Sequence, residues 1–324
     1  MAGVLVVFYS WIFFKSARAE LPEESCSLKF YSNQSRQDIK QTFLQALNKA
    51  QESIFLSVYG ITDPQILEAV HKKSAEHLPI FIEYDPTASS ALKKHLPSSI
   101  HLRPVKSKGL MHRKIVLIDR RVAYLGSANL TPSSLRHHAN LVIGLYHPGL
   151  AAFLENPTAN SYFFALQAQK GEVYLFPDPA KTGLFRLIEC IDKAKQQIHI
   201  AMFTLTHPEI VGALIRATKR KVGVSIALDA YTARGASKKS LETLESEGAN
   251  FYLSQGRELL HHKWALIDEE ILAMGSANWT KAAFDKNDDF LLFLAPLDKK
   301  QKGFLKNLWE IIESESIEYK DTLL

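Results

Sequence analysis

The chain carries one pattern of polar residues twice, and this repetition constrains its fold more than any other feature. The first copy reads His112-Arg113-Lys114-Ile115-Val116-Leu117-Ile118-Asp119 and, after a short turn, continues to Gly126-Ser127-Ala128-Asn129. The second reads His261-His262-Lys263-Trp264-Ala265-Leu266-Ile267-Asp268 and continues to Gly275-Ser276-Ala277-Asn278. In both copies Ser follows His by 15 positions and Asn follows it by 17. One His-x-Lys-x-x-x-x-Asp string is a moderate signal, whereas two with the same trailing Gly-Ser-x-Asn mark a duplication.

The surrounding segments repeat too. A helical spacing of Phe43, Leu44, Leu47 and Ala50 returns 144 positions later as Leu187, Ile188, Ile191 and Ala194. A strand-like run follows each (residues 53–59 and 197–203), then a second amphipathic helix (64–75 and 208–220), then a strand-like run ending in an acid (80–85 and 222–229). The two motif histidines are 149 positions apart, so the second half holds five extra residues, most simply in the polar stretch 231–240. Each half closes with a strand-like segment (141–145, 290–294) and an apolar-patterned tail (150–167, 304–312). Strands alternating with helices predict an α/β fold of two similar halves, each a mixed sheet flanked by helices, related by a pseudo-twofold axis. The halves are expected at 20–168 and 169–324, with a linker near 169–172.

The β-branched and apolar run after each Lys predicts a strand, in which residues two apart share a face. His112 and Lys114 therefore point the same way, as do His261 and Lys263. An imidazole beside an ammonium suits a phosphodiester: one group attacks phosphorus or moves a proton, and the other holds the charged oxygens. Asp119 and Asp268 follow their histidines by an odd offset, which puts them on the opposite face as structural anchors of the turn or the partner half. Ser127, Asn129, Ser276 and Asn278 end the returning strands, where they are expected to donate hydrogen bonds to non-bridging phosphate oxygens.

The pairs His137-His138 and His261-His262 lack third and fourth ligands at metal-binding spacing, so no metal is expected. Trp264 and Trp279 are expected to pack beside the motif, contact with an acyl chain or a base being the alternative. The basic clusters Lys219-Arg220-Lys221 and Lys299-Lys300-Gln301-Lys302 read as solvated helix ends. Pairing of the two cysteines, Cys26 and Cys190, is left open.

With 46% hydrophobic and 23% charged residues the chain is globular rather than disordered. Residues 4–14 form an apolar run broken only by Ser10 and followed by Lys15-Ser16-Ala17-Arg18-Ala19, the pattern of a signal peptide cleaved after Ala19. The run is too short to span a bilayer as a helix, which takes about 20 apolar residues. The expected location is therefore periplasmic or secreted, with an uncleaved membrane anchor as the alternative. Cleavage would remove Lys15 and Arg18, leaving 37 basic residues of the original 39 against 34 acidic ones. That balance gives little electrostatic help against a polyanion.

The two motifs resemble those of the phospholipase D superfamily, and the resemblance covers nearly all of residues 28–315. It implies that one histidine attacks phosphorus to give a phosphohistidine, while the other protonates the leaving alkoxide and then activates water or an alcohol. It also implies that both lysines and the Ser/Asn pairs stabilise the transition state, with no metal and no cofactor. In two-repeat members the N-terminal histidine is usually the nucleophile, which points to His112 here, with His261 as acid/base. The family often places a carboxylate about 28 residues after the histidine to orient its ring; Asp289 stands there in the second half, preceded by Asn287. The stretch from Gly275 to Ala283 is similar to the small bacterial nuclease and cardiolipin hydrolase-like branch. The first half departs from the pattern, with Asn140 at the carboxylate position and His138 where Asn287 would be. An amide can orient an imidazole but cannot stabilise its cation as a carboxylate does.

The resulting expectation is a phospholipase D-type phosphodiesterase that hydrolyses phospholipid headgroup esters, with transfer to an alcohol as a further outcome. A membrane surface is its expected partner, and the presence of both half-sites in one chain suggests a monomer. An endonuclease of the same mechanism, with nucleic acid as partner, is the first alternative. An inactive binding protein that keeps the fold is the second.

Overall fold

The computed structural model describes residues 19–255 and 258–319. Of the expected signal segment, only Ala19 lies within the described residues. Among those residues no helix is long and apolar enough to cross a membrane.

Seven strands form the first sheet: β1 (Leu28–Tyr31), β2 (Ile54–Val58), β3 (Ile80–Tyr84), β4 (His101–Pro104), β5 (Lys114–Ile118), β6 (Val122–Gly126) and β7 (Val142–Tyr146). Their spatial order is β1-β7-β6-β5-β2-β3-β4. The second sheet has β8 (Ser161–Leu166), β9 (Gln169–Leu175), β10 (Gln197–Met202), β11 (Gly223–Leu228), β12 (Asn250–Ser254), β13 (Lys263–Ile267), β14 (Ile271–Gly275), β15 (Phe290–Ala295) and β16 (Ser316–Glu318). Its order is β16-β12-β11-β10-β13-β14-β15-β9-β8. Both sheets share a unit: a parallel trio (β2-β3-β4, β10-β11-β12) bordered by an antiparallel strand that starts with the motif lysine (β5, β13).

Strand alternation sorts the side chains into three cores. Ile115 and Leu117 lie in the same central core as Trp264 and Leu266 of the other half, so the sheets pack face to face. Val116 and Ile118 instead join the helices Ile39–Lys49 and Pro64–Ala75 in a first outer core. Ala265 and Ile267 join Thr182–Lys193 and Pro208–Lys219 in a second. The result is helix, sheet, sheet, helix. These helices form because their apolar residues recur on one face and their starts are specified. Asp38 and Asp63 accept hydrogen bonds from first-turn amides, and Pro64 and Pro208 occupy the first turn, where a missing N–H costs nothing.

Several expectations are revised. Residues 169–172 are not a linker: they begin β9, which pairs with β8 and also with β15, because an apolar strand pair is more stable in a sheet than in solvent. β8, expected in the first half, thus belongs to the second sheet. The tail at 150–167 divides between the helix Pro148–Glu155 and β8. Most of the five extra residues lie before Ser237, within the expected stretch, where the helix Ala230–Arg234 stands: Ser89 and Ser237 take equivalent amides, of Ile61 and Leu205, already at the longer offset. Trp264 and Trp279 are fully buried in the cores, the packing role expected of them. Cys26 and Cys190 are both free.

Candidate active site

Both motif histidines sit at one end of the central strands. Val58, the last residue of β2, pairs with Lys114, the first of β5, and Met202 at the end of β10 pairs with Lys263. The motifs therefore open where the parallel strands end, the usual place for ligands in α/β sheets.

Backbone contacts then bring the halves together in a reciprocal way. The His112 amide donates to the Asp288 carbonyl (2.8 Å), and the Asp288 amide to the Leu110 carbonyl (2.8 Å). Symmetrically, the His261 amide donates to the Ala139 carbonyl, and the Ala139 amide to that of Leu259, each at 2.9 Å. The residue after each contact is the orienting residue, so each serves the histidine of the opposite half. Asp289 Oδ1 lies 2.8 Å from His112 Nδ1, and Asn140 Oδ1 lies 3.0 Å from His261 Nδ1. The spacing of 28 within each half suggested service to the same half; three-dimensional pairing reverses it.

The Asn140 amide nitrogen is committed to the carbonyls of Ser134 (2.9 Å) and His138 (3.2 Å), which leaves its oxygen facing His261. Both histidines therefore carry hydrogen on Nδ1 and leave Nε2 for chemistry.

The serines play a different part from the one expected. Ser276 Oγ donates to Asp289 Oδ1 (2.6 Å) and accepts from the Phe290 amide (3.0 Å). Ser127 Oγ likewise donates to Asn140 Oδ1 (2.8 Å) and accepts from the Leu141 amide (3.2 Å). Both hydroxyls are buried and spent on holding the orienting residue, so neither is free for phosphate. The glycine before each serine allows this approach: a Cβ on Gly126 would meet the Leu141 carbonyl oxygen at 2.3 Å, and one on Gly275 the Phe290 oxygen at 2.2 Å. Asn129 and Asn278 are half-buried, and the Oδ1 of each lacks a partner. Their side-chain amides remain suited to phosphate.

Asp119 and Asp268 are structural anchors within their own halves. Asp119 accepts from the amides of Gln51, Glu52 and Ser53, and Asp268 from those of Lys195, Gln196 and Gln197. Each ties the motif strand to the turn before β2 or β10.

Four further residues shape the site. Lys114 Nζ and Lys263 Nζ lie 5.3 Å from the ring centres of Tyr59 and Phe203 respectively. The same rings flank His112 and His261, each at 5.3 Å between centroids. Asp85 Oδ2 and Asp229 Oδ2 accept from the amides of Met111 (3.4 Å) and Leu260 (3.1 Å), holding the loop before each histidine. The 144-position repeat aligns both pairs, and this register was the available signal.

The four motif side chains are buried and act on one another electrostatically. Burial, followed by the Lys114 charge, lowers the His112 pKa, and Asp289 opposes the shift. Burial and the Lys263 charge hold His261 well below its ordinary value. Burial pushes Lys114 down to about 7, and burial with Lys114 as neighbour holds Lys263 well below its usual range. Burial works against the Asp289 carboxylate, but His112, Lys114 and Ser276 outweigh it and keep its pKa low. The pair is thus a neutral imidazole donating to an ionised carboxylate. Each lysine also donates to the carbonyl of its own histidine, Lys114 at 2.6 Å and Lys263 at 2.9 Å. Among the described residues no group of three or more His, Cys, Asp or Glu is arranged to hold a metal ion.

Comparison with known proteins gives a consistent picture. The family model described as cardiolipin synthase, PLD-like domain, matches residues 43–160 and again 187–310. The mitochondrial cardiolipin hydrolase of Xenopus laevis is 29% identical over 128 residues, covering 39% of this chain and 60% of that protein. Cardiolipin synthase A of Pseudomonas fluorescens is 24% identical over 299 residues, covering 76% of this chain and 61% of its own length. This chain thus spans less than two thirds of either relative. The crystal structure of a phosphatidylserine synthase from Haemophilus influenzae shares the fold, with a TM-score of 0.75 at 12% identity over 93% of this chain and 89% of that one. The two halves meet in one site, and the chain belongs to the phospholipase D superfamily, with two PLD-like domains.

Proposed function

We propose that the protein cleaves phospholipid headgroup esters at a membrane surface, by double displacement with His112 as nucleophile and His261 as general acid and base. The unequal orienting pair carries this reading. His112 faces the Asp289 carboxylate, which stabilises the positive charge an imidazole acquires when it bonds to phosphorus. His261 faces the Asn140 amide, which fixes the ring but leaves its proton easier to give away.

In the first step the His112 Nε2 lone pair forms a bond to phosphorus as the P–O bond to the leaving alcohol breaks, and His261 Nε2 supplies the proton that alcohol takes. In the second step water or an alcohol gives its proton to His261 and attacks phosphorus, and the P–N bond breaks. His261 is neutral in the free site; the anionic phosphodiester raises its pKa and draws in the proton it needs. Lys114, Lys263, Asn129 and Asn278 hold the non-bridging oxygens. No metal or cofactor enters these steps, and one chain supplies both half-sites, so a monomer suffices.

The lipid reading is supported by the curated relatives, which are named for cardiolipin hydrolysis and synthesis. Cleavage of nucleic acid by the same machinery is the second reading, favoured by the resemblance of residues 275–283 to the small nuclease branch. The test offers the chain phosphatidylcholine, cardiolipin and single-stranded DNA, each with a chelator. Turnover of lipid supports the first reading, and cutting of DNA alone supports the second. A requirement for added divalent metal contradicts the histidine mechanism.

A further inference from the structure

The two lips of the site differ in a way the mechanism does not use. Beside His112, Lys106 and Lys108 of the preceding loop and Lys286, which that loop contacts, are all exposed. None of these lysines takes part in an ion pair among the described residues. Leu110, two residues before His112, is 44% exposed, one of few large apolar side chains left in solvent. The lip is held firmly: the Gly109 amide donates to the Lys286 carbonyl (3.0 Å) and the Leu110 amide to Asn287 Oδ1 (2.9 Å).

At the pseudo-symmetric lip beside His261, Gln255 stands for Lys106, Glu258 for Gly109 and His137 for Lys286. Leu259, the counterpart of Leu110, is only partly exposed. Lys108's counterpart, Arg257, lies outside the described residues.

We propose that the Lys106–Leu110 loop, with Lys286, is a docking surface for an anionic lipid bilayer, which the protein meets tilted, His112 side down. Unpaired lysines are attracted to anionic headgroups, and a leucine held at their centre enters the boundary between headgroups and acyl chains. A nucleic-acid backbone would use the lysines but has no place for the leucine, so the bilayer accounts for both. The tilt turns the lip of Gln255, Glu258 and His137 toward water. In-line displacement puts the leaving alcohol on the His261 side, so the alcohol departs into water while the lipid remainder stays on His112. The proposal rests on the lipid reading of the site.

The test places a polarity-sensitive fluorophore at Leu110→Cys or at Glu258→Cys, each in a Cys26→Ser background; Cys190 is buried. On phosphatidylglycerol vesicles the label at 110 is expected to shift to the blue and the label at 258 not to. The shift is expected to vanish on phosphatidylcholine and to weaken with salt. Reversing Lys106 and Lys108 to Glu is expected to weaken vesicle binding by about tenfold or more, with folding checked by circular dichroism. Equal shifts at both labels, equal binding to phosphatidylcholine, or a response at 110 to single-stranded DNA but not to vesicles would overturn it. Turnover of soluble short-chain phosphatidylcholine and of detergent-dispersed cardiolipin is measured in parallel on the unaltered chain. Turnover without docking removes the docking surface alone, and docking without turnover removes the lipid-esterase reading alone.

Discussion

Asp289 and His112 lie 177 positions apart in sequence, yet Asp289 Oδ1 sits 2.8 Å from His112 Nδ1, in the other half of the molecule. The mirror relationship joins Asn140 to His261 at 3.0 Å. Each half-site is therefore incomplete alone, and the chemical difference between carboxylate and amide gives the two histidines different work.

Exchanging these partners one at a time separates the roles. Asp289→Asn removes the charge behind His112 and permits the wrong tautomer, so kcat is expected to fall on the order of 10²- to 10⁴-fold. Asn140→Asp places a carboxylate behind His261 and favours its protonated form. The alkaline limb of kcat should then move up by about one pH unit. Steady-state pH profiles of both variants are the measurement.

Anion binding should depend on pH through the lysines. Burial holds Lys114 near 7 in the free site, whereas a bound phosphate favours the ammonium. Binding above that pH therefore takes up a proton, and affinity falls as pH rises. Inhibition by inorganic phosphate is expected to weaken by up to about tenfold per unit between roughly pH 7 and 9. A flat profile would show that Lys114 is already charged in the free site.

The serine and asparagine of each Gly-Ser-x-Asn should fail differently. Ser276 touches Asp289, not phosphate, so Ser276→Ala is expected to lower kcat about tenfold with little change in phosphate affinity. Asn278→Ala removes an amide suited to phosphate and is expected to weaken phosphate inhibition by about tenfold. Equal losses of phosphate affinity in both variants would return Ser276 to a direct role.

Gly275→Ala should be costly to stability. Its Cβ would stand 2.2 Å from the Phe290 carbonyl oxygen, so two strands must separate at the residue that follows Asp289. A loss of about 1–3 kcal/mol or more is expected, read as a lower denaturant midpoint.

Much of this was legible in the sequence because the duplication writes it twice. Helix and strand positions from Phe43 to Asp85 recur with one offset, and the His-Lys pairs occupy the strand starts that their apolar runs imply. The interior of the site was less legible. A spacing of 28 states that Asp289 stands near a histidine but not which one, since that is decided by the parallel pairing of residue 111 with 288 and of 139 with 260. Ser127 and Ser276 looked like phosphate ligands because a hydroxyl donates equally well to a carboxylate or an amide oxygen one strand away. Tyr59 and Phe203 were hidden as ordinary ends of apolar strands. β8 and β9 were read as tail and linker because a hairpin's sheet is chosen by long-range pairing.

The central claim is that the histidine facing the carboxylate is the one that bonds to phosphorus. Rapid acid-free quenching of the chain with a radiolabelled phosphodiester, followed by peptide mapping, tests it most directly. The account predicts label on His112, accumulating in the His261→Ala variant with a good leaving group and absent in His112→Ala. Label on His261 in the unaltered chain would contradict it.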